Sequence, residues 1–186
     1  AVVGTSSLRR QVLLKALRPD LDIQPLRGNV NTRLRKLDEG QYDGIVLAAA
    51  GLKRLEMHDR IRYEFDTDTM LPAAGQGALG IEIRADRQDL IELFAGLADA
   101  RTWQTVTAER AVSRCMGGSC SMPLAAHGEW QGNTLQVRAA WGDEQAPNAP
   151  LVRASASATV TDLTSADALG QLVAQQLQAA GAQVRR

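Results

Sequence analysis

The chain has 186 residues, 45% hydrophobic and 23% charged, with 21 Lys plus Arg balanced by 21 Asp plus Glu. That composition excludes a disordered or fibrous chain, and the zero formal charge removes the electrostatic case for a nucleic-acid or anionic-membrane partner. The longest apolar run, near Ile45 to Leu52, is far short of the roughly 18 residues a membrane span needs. Two cysteines cannot build a disulfide framework, so a reducing compartment is expected. The reading is a soluble, cytoplasmic protein of one or two domains. Because it enters an apolar strand at Ala1-Val2-Val3-Gly4 with no Met and no signal layout, it reads as a piece of a longer protein.

From Ala1 to about Pro72, strands alternate with helices. Val2-Val3 is strand-like, and Thr5-Ser6-Ser7 offers N-cap hydroxyls to a helix over Leu8 to Leu17 that carries Leu8, Val12, Leu13 and Leu17 on one face. Asp22 to Leu26 alternates like a strand. Asn29 caps a second helix through Val30, Leu34 and Leu37, which Gly40 stops. Asp43 to Ala49 reads as a third, fully apolar strand, followed by a short helix around Leu52 to Leu55. Such alternation predicts βαβ units and a largely parallel sheet.

Leu71-Pro72-Ala73-Ala74-Gly75-Gln76-Gly77 is marked by Gly and Pro as a hinge. Ala78 to Arg84 then reads as one strand and Arg87 to Leu97 as one helix, a pair without an obvious partner. From about Ala100 the style changes. Thr102 to Arg114 is helical, and Met122 to Ala126, Leu135 to Trp141 and Leu151 to Ala158 read as strands, the first two joined at Gln131-Gly132-Asn133. Ser165 is expected to cap a last helix carrying Leu169, Leu172, Val173 and Leu177, ended by Gly181. This half predicts a small α+β domain with a three-stranded antiparallel sheet.

Gly75-Gln76-Gly77-Ala78-Leu79-Gly80 matches a dinucleotide fingerprint only as letters. The mechanism needs a strand before it and a helix after it, and here the expected order is reversed. The arginines say more. Arg9, Arg10 and Arg33 lie in the first turns of two helices, where a cation opposes the helix dipole, and Arg27 ends a strand. Both helix starts follow the carboxyl ends of strands, where open α/β sheets bind ligands, so the pattern points to an anion. Guanidinium forks suit carboxylates and phosphates. The bland alternative is a solvated helix face with i,i+4 partners.

Cys115 and Cys120 bracket Met116-Gly117-Gly118-Ser119. A disulfide, half a metal site and inert packing compete with a reactive thiol at Cys120 on a flexible Gly-Gly loop. Metal is disfavoured because His58 and His127 show no ligand spacing. Cys115 is expected to pack. The two histidines read as surface or strand residues, and Trp103, Trp130 and Trp141 as core or strand-edge residues.

Several of these segments together resemble the porphobilinogen deaminase (hydroxymethylbilane synthase) family. They are Gly4-Thr5-Ser6-Ser7-Leu8-Arg9-Arg10, Leu26-Arg27-Gly28-Asn29-Val30 with Thr32-Arg33-Leu34, and Ala50-Gly51-Leu52-Lys53-Arg54-Leu55. Leu71-Pro72-Ala73, Gly75-Gln76-Gly77-Ala78, Thr107-Ala108-Glu109-Arg110 and Gly117-Gly118-Ser119-Cys120-Ser121-Met122-Pro123 continue the likeness in order along the chain. The resemblance implies head-to-tail joining of four porphobilinogens into hydroxymethylbilane with loss of ammonia. It implies a dipyrromethane cofactor held as a thioether on Cys120. Ser119, between the glycines and the cysteine, departs from the family's usual pattern and leaves Cys115 as a weak rival.

The resemblance also implies that Arg9, Arg10, Arg27 and Arg33, with Thr5, Ser6, Ser7 and Gln76 and more loosely Arg54, bind the pyrrole carboxylates, while no metal is used. The implied fold is a type 2 periplasmic-binding-protein-like domain over residues 1–74, a hinge and crossover strand–helix over 75–98 belonging to a first domain, and a cofactor-bearing α+β domain over 99–186. The family's catalytic aspartate lies in a motif that no segment here resembles, so no catalytic residue is assigned and the piece alone is expected to be inactive. The whole protein is expected to be a monomer, and this piece to self-associate through residues 78–97. The alternative is a non-catalytic anion-binding module of the same fold, which would need no Gly-Gly-loop cysteine.

Overall fold

The computed structural model describes residues 1–118 and 121–184. The first half is built on a parallel three-stranded sheet in which β1 (Val2–Gly4) lies between β2 (Asp22–Gln24) and β3 (Gly44–Ile45). Val3 is opposite Ile23 on one side and Gly44 on the other. The strands are short for local reasons. Pro25 removes the donor that would extend β2, and β1 ends because the chain turns at once into a capped helix. Val46 N donates to Gly4 O at 3.1 Å, the last bond β1 can offer its neighbour. The strand expected over Asp43 to Ala49 therefore shrinks to two half-buried residues, and Ala49 already starts a helix.

Helix α1 (Leu8–Leu17) starts where the hydroxyls predicted it, with Ser7 as N-cap. Val12, Leu13 and Leu14 are buried, but Leu17 is exposed and Arg9 takes its place on the buried face. Helix α2 (Val30–Asp38) is capped by Asn29, whose Oδ1 accepts from Thr32 N at 2.8 Å. A short α3 (Ala49–Arg54) and a single 3₁₀ turn at His58–Arg60 complete this part.

The second half packs α5 (Ala100–Cys115) and α6 (Leu163–Ala179) against an antiparallel sheet of β4 (Leu124–Gln131), β5 (Thr134–Trp141) and β6 (Val152–Thr159). Gln131 pairs with Thr134, leaving Gly132-Asn133 as a two-residue hairpin turn with Gly132 at φ 62°. Alternation assigns the two faces of the sheet. Ala126, Leu135, Val137 and Ala139 meet α5 and α6, including Val112, Leu169, Val173 and Leu177. Ala125 and Ala140 face the other way and meet Leu13, Leu14, Met70 and Leu71. The sheet is thus covered on both faces, and one cover is α1 of the first half. Elements approach closely at two glycines, against a backbone oxygen at Gly170 and a side chain at Gly142. A Cβ on Gly170 would sit 2.1 Å from Ala108 O, and one on Gly142 would sit 2.5 Å from Val12 Cβ.

Several expectations need correcting. Residues 78–84 form no strand, because among the described residues no strand lies alongside to complete a ladder, and Leu79 is 88% exposed. The following α4 (Gln88–Ala95) does form but buries no residue. The cap of α6 is Asp162, and Ser165 closes the reciprocal half of a capping box. Leu172 faces out, and Trp103 is exposed rather than core. Cys115 is exposed at the end of α5, while its neighbour Met116 is the residue that packs. Among the described residues, no helix is long and apolar enough to cross a membrane.

Candidate functional site

The strand order β2-β1-β3 places the start of α1 at the carboxyl end of the central strand, where connections leave toward opposite edges of the sheet. Crevices at such switch points are where open α/β sheets take their ligands. Three arginines are gathered there. Arg10 reaches across from α1, and its Nη1 donates to Val46 O beyond β3 at 3.0 Å. Arg9, only 6% exposed, donates through Nη1 to Leu71 O at 2.7 Å and through Nη2 to Gln76 Oε1 at 3.1 Å. Arg33, in the first turn of α2, donates through Nε to Gly28 O at 2.8 Å. Gly28 has φ 118°, and a Cβ there would strike Thr32, so the turn that aims Arg33 requires glycine.

The electrostatics set this cluster apart. Arg18, Arg35, Arg60, Arg84, Arg87, Arg114 and Arg138 each pair with a carboxylate. Arg9, Arg10, Arg27 and Arg33 pair with no carboxylate among the described residues, and the guanidiniums of three of them repel one another. Burial, with Arg10 beside it, lowers Arg9 to about 10. Burial, with Arg33 beside it, lowers Arg10 as well. Repelling cations held together by carbonyl oxygens are the arrangement expected of an anion site.

The hydroxyls divide by role. Thr5 is 2% exposed, its N–H donating to Gln24 O and its Oγ1 accepting from Ser7 N at 3.3 Å, so it shapes the turn. Ser6 is exposed just after β1 and donates to Leu26 O at 3.0 Å. Ser7 is spent on the helix cap. Arg27 is exposed next to Leu26 and Gly28. Arg54 is exposed at the far end of α3, and among the described residues no hydrogen bond ties it to the cluster. Cys120 lies outside the described residues. Just before it, Gly117 at φ 112° and Gly118 at φ 60° turn the chain out of α5.

Two family models match in chain order. "Porphobilinogen deaminase, dipyromethane cofactor binding domain" covers residues 1–92, and "Porphobilinogen deaminase, C-terminal domain" covers residues 103–179. The chain belongs to the porphobilinogen deaminase family. A porphobilinogen deaminase of Albidiferax ferrireducens is 64% identical over 97% of this chain and 57% of its own length. Those of Paraburkholderia phytofirmans and Burkholderia thailandensis are 53% and 52% identical over 98% of this chain, and 53% and 55% of their own lengths. The chain spans about half the length of the curated relatives it matches.

Sequence reading missed a second charged group, centred on buried Glu109. Glu109 of α5 is 4% exposed, with Oε2 accepting from Gly75 N at 2.6 Å and Oε1 from Gly128 N at 2.7 Å. His127 Nδ1 lies 3.4 Å from Glu109, and its Nε2 lies 3.2 Å from Glu129. Thr67 Oγ1 donates to Glu129, and Arg138 pairs with Asp68 while its Nη2 lies 3.1 Å from Glu129 without hydrogen-bond alignment. The available signal was helical spacing. Glu109 falls among Ala108, Ala111 and Val112, all buried, whereas Arg110 and Arg114 lie outside.

Proposed function

We propose that this chain forms the second α/β unit and the C-terminal α+β unit of a hydroxymethylbilane synthase, which joins four porphobilinogens head to tail with release of ammonia in tetrapyrrole biosynthesis. The observation that carries this reading is the Arg9–Arg10–Arg33 cluster, which has no carboxylate partner among the described residues. Each pyrrole unit brings an acetate and a propionate, so a growing chain accumulates carboxylates that must be paired where they are buried. The donors present fit a dipyrromethane cofactor. Arg10 and Arg33 would hold its carboxylates, with exposed Arg27 and Ser6 at the rim of the crevice and the first-turn amides of α1 adding favourable dipoles.

When bound, the dipyrromethane supplies the pyrrole carbon to which the next unit is joined. Cys120 is the proposed attachment point, supported by the positive-φ glycines before it and by buried Pro123 after it. Arg9 differs from its neighbours because Leu71 O and Gln76 already take its donors. It holds the crevice in shape and gives the site positive potential from below. The division into residues 1–74, 75–98 and 99–186, and the likeness of the first part to a type 2 periplasmic binding protein, are supported by the parallel β2-β1-β3 order and by the break in style after the 71–77 loop. A cytoplasmic, monomeric whole protein completes the proposal.

Intact mass and peptide mapping of the cofactor-loaded protein test it. The expected adduct is a dipyrromethane on Cys120, and an adduct on Cys115 would overturn that assignment. Arg10→Leu should lower cofactor loading or chain growth by about 2–5 kcal/mol, since it leaves a buried carboxylate unpaired. Loading and growth at the wild-type level would show that Arg10 is only a surface charge. A protein that binds dicarboxylates but never carries an adduct would be an anion-binding module instead.

A further inference from the structure

The 71–77 loop that leaves the first half is gripped from both sides by buried ionic groups of opposite sign. From α1, Arg9 holds Leu71 O and Gln76 Oε1. From α5, Glu109 holds Gly75 N at 2.6 Å and ties it to Gly128 N of β4. Between these grips, Ala126 N donates to Pro72 O at 3.0 Å. Gly75 and Gly77 sit at φ 73° and 91°, which lets so short a loop present its N–H and its glutamine in different directions. Gln76 Oε1, which also accepts from Ala73 N at 3.4 Å, thus meets Arg9 one residue from the point where Gly75 is held on Glu109.

We propose that Glu109 is a positioning residue for the anion site, holding the 71–77 loop so that Gln76 and Leu71 orient Arg9, and that His127 sets the strength of that grip. The proposal rests on the functional reading given above for what the arginines bind. It assigns Glu109 no contact with substrate or cofactor.

The chemistry of His127 follows from its neighbours. Its ring stands between Glu109 of α5 and Glu129 of its own strand. Glu129 in turn faces Thr67 and Asp68-paired Arg138 of β5. Only an imidazolium can donate from both ring nitrogens at once. The hydrogen bond to Glu109 is the main cause that raises His127 above the ordinary histidine value, with burial opposing it. Its side chain is 20% exposed beside a cavity of about 250 Å³ that Gln76, Arg101 and Trp130 also line, so protons exchange with water. The sign is definite. A raised folded value means that the charged clamp is fully present below the ordinary histidine value and is lost as pH rises through the raised one.

The test is amide hydrogen exchange and an NMR titration of the whole 186-residue chain from about pH 5 to about pH 9. In the wild type, the Gly75 and Gly128 amides and the Arg9 guanidinium should shift with one midpoint, that of His127. His127→Asn should abolish that midpoint and lower Gly75 protection, relative to Val137, to the value the wild type shows at high pH. In Glu109→Gln, protection at Gly75 should fall by at least about tenfold relative to Val137 in β5, since a charge-assisted bond is lost. Unchanged Gly75 protection in folded Glu109→Gln would overturn the proposal, as would a wild-type titration in which Gly75 and Arg9 ignore His127. Should Glu109→Gln fail to fold, the wild-type and His127→Asn titrations decide. Neither readout uses a ligand, so failure of cofactor loading would count against the functional reading alone.

Discussion

Helices α6 and α4 carry apolar residues at helical spacing, and their fates are opposite. α6 buries Ala166, Leu169, Gly170, Val173, Ala174 and Leu177 against α5 and the antiparallel sheet. α4 buries nothing, leaving Leu93 69% exposed and Ile91 partly so, and the residues before it form no strand. The difference is not propensity, since both helices form. It lies in whether a complementary face is present. For α6 that face is built by local hairpins and by a helix with a small residue, Ala108, where Gly170 must approach. An amphipathic pattern states that a partner is needed and does not supply one.

The largest expected effect falls where burial is complete. Leu177→Ala removes a side chain with 0% exposure and should destabilise the chain by about 2–5 kcal/mol, the range for large-to-small core substitutions. In a domain of this size that is a drop of several degrees in Tm by calorimetry, roughly 2–4 °C per kcal/mol. A loss within the error of the scan would mean that the α6 face is loosely packed.

Gly170→Ala sharpens the same point from the other direction. The added methyl would lie 2.1 Å from a backbone oxygen, so α5 and α6 must separate, and a cost of about 1–3 kcal/mol is expected despite alanine's better helix propensity. An increase in denaturation midpoint would show that the helices yield freely. The smallest effect should come from Leu93→Gln on α4, within about 0.5 kcal/mol, because the side chain contributes no buried surface. A loss comparable to that of Leu177→Ala would collapse the contrast between the two helices.

Much of the arginine cluster was legible because local rules wrote it. Ser7 and Asn29 cap helices where hydroxyl and amide side chains precede apolar periods, and the arginines that follow stand at helix starts whatever else the chain does. Around Gly75-Gln76-Gly77-Ala78-Leu79-Gly80 the expected following strand does not form, and the next helix, α4, starts only at Gln88. Less legible was how the arginines differ. Nothing in Arg9-Arg10 says that the first is sealed against Leu71 O and the second spans to Val46 O, because both acceptors come from loops far along the chain.

By itself, the sequence determined the order of the elements, the caps and glycine stops, the tight Gly132-Asn133 hairpin and the identity of the cationic residues, because these depend on neighbours within a few positions. The tertiary structure alone decided which strands found partners, as 124–131 did and 78–84 did not, and which charges were buried. Glu109 and His127 read as ordinary polar residues until α5 and β4 brought Gly75, Gly128 and Glu129 around them. Hydrogen bonds and ion pairs in a low-dielectric interior are set by distances between remote segments, and those distances exist only once the core has closed.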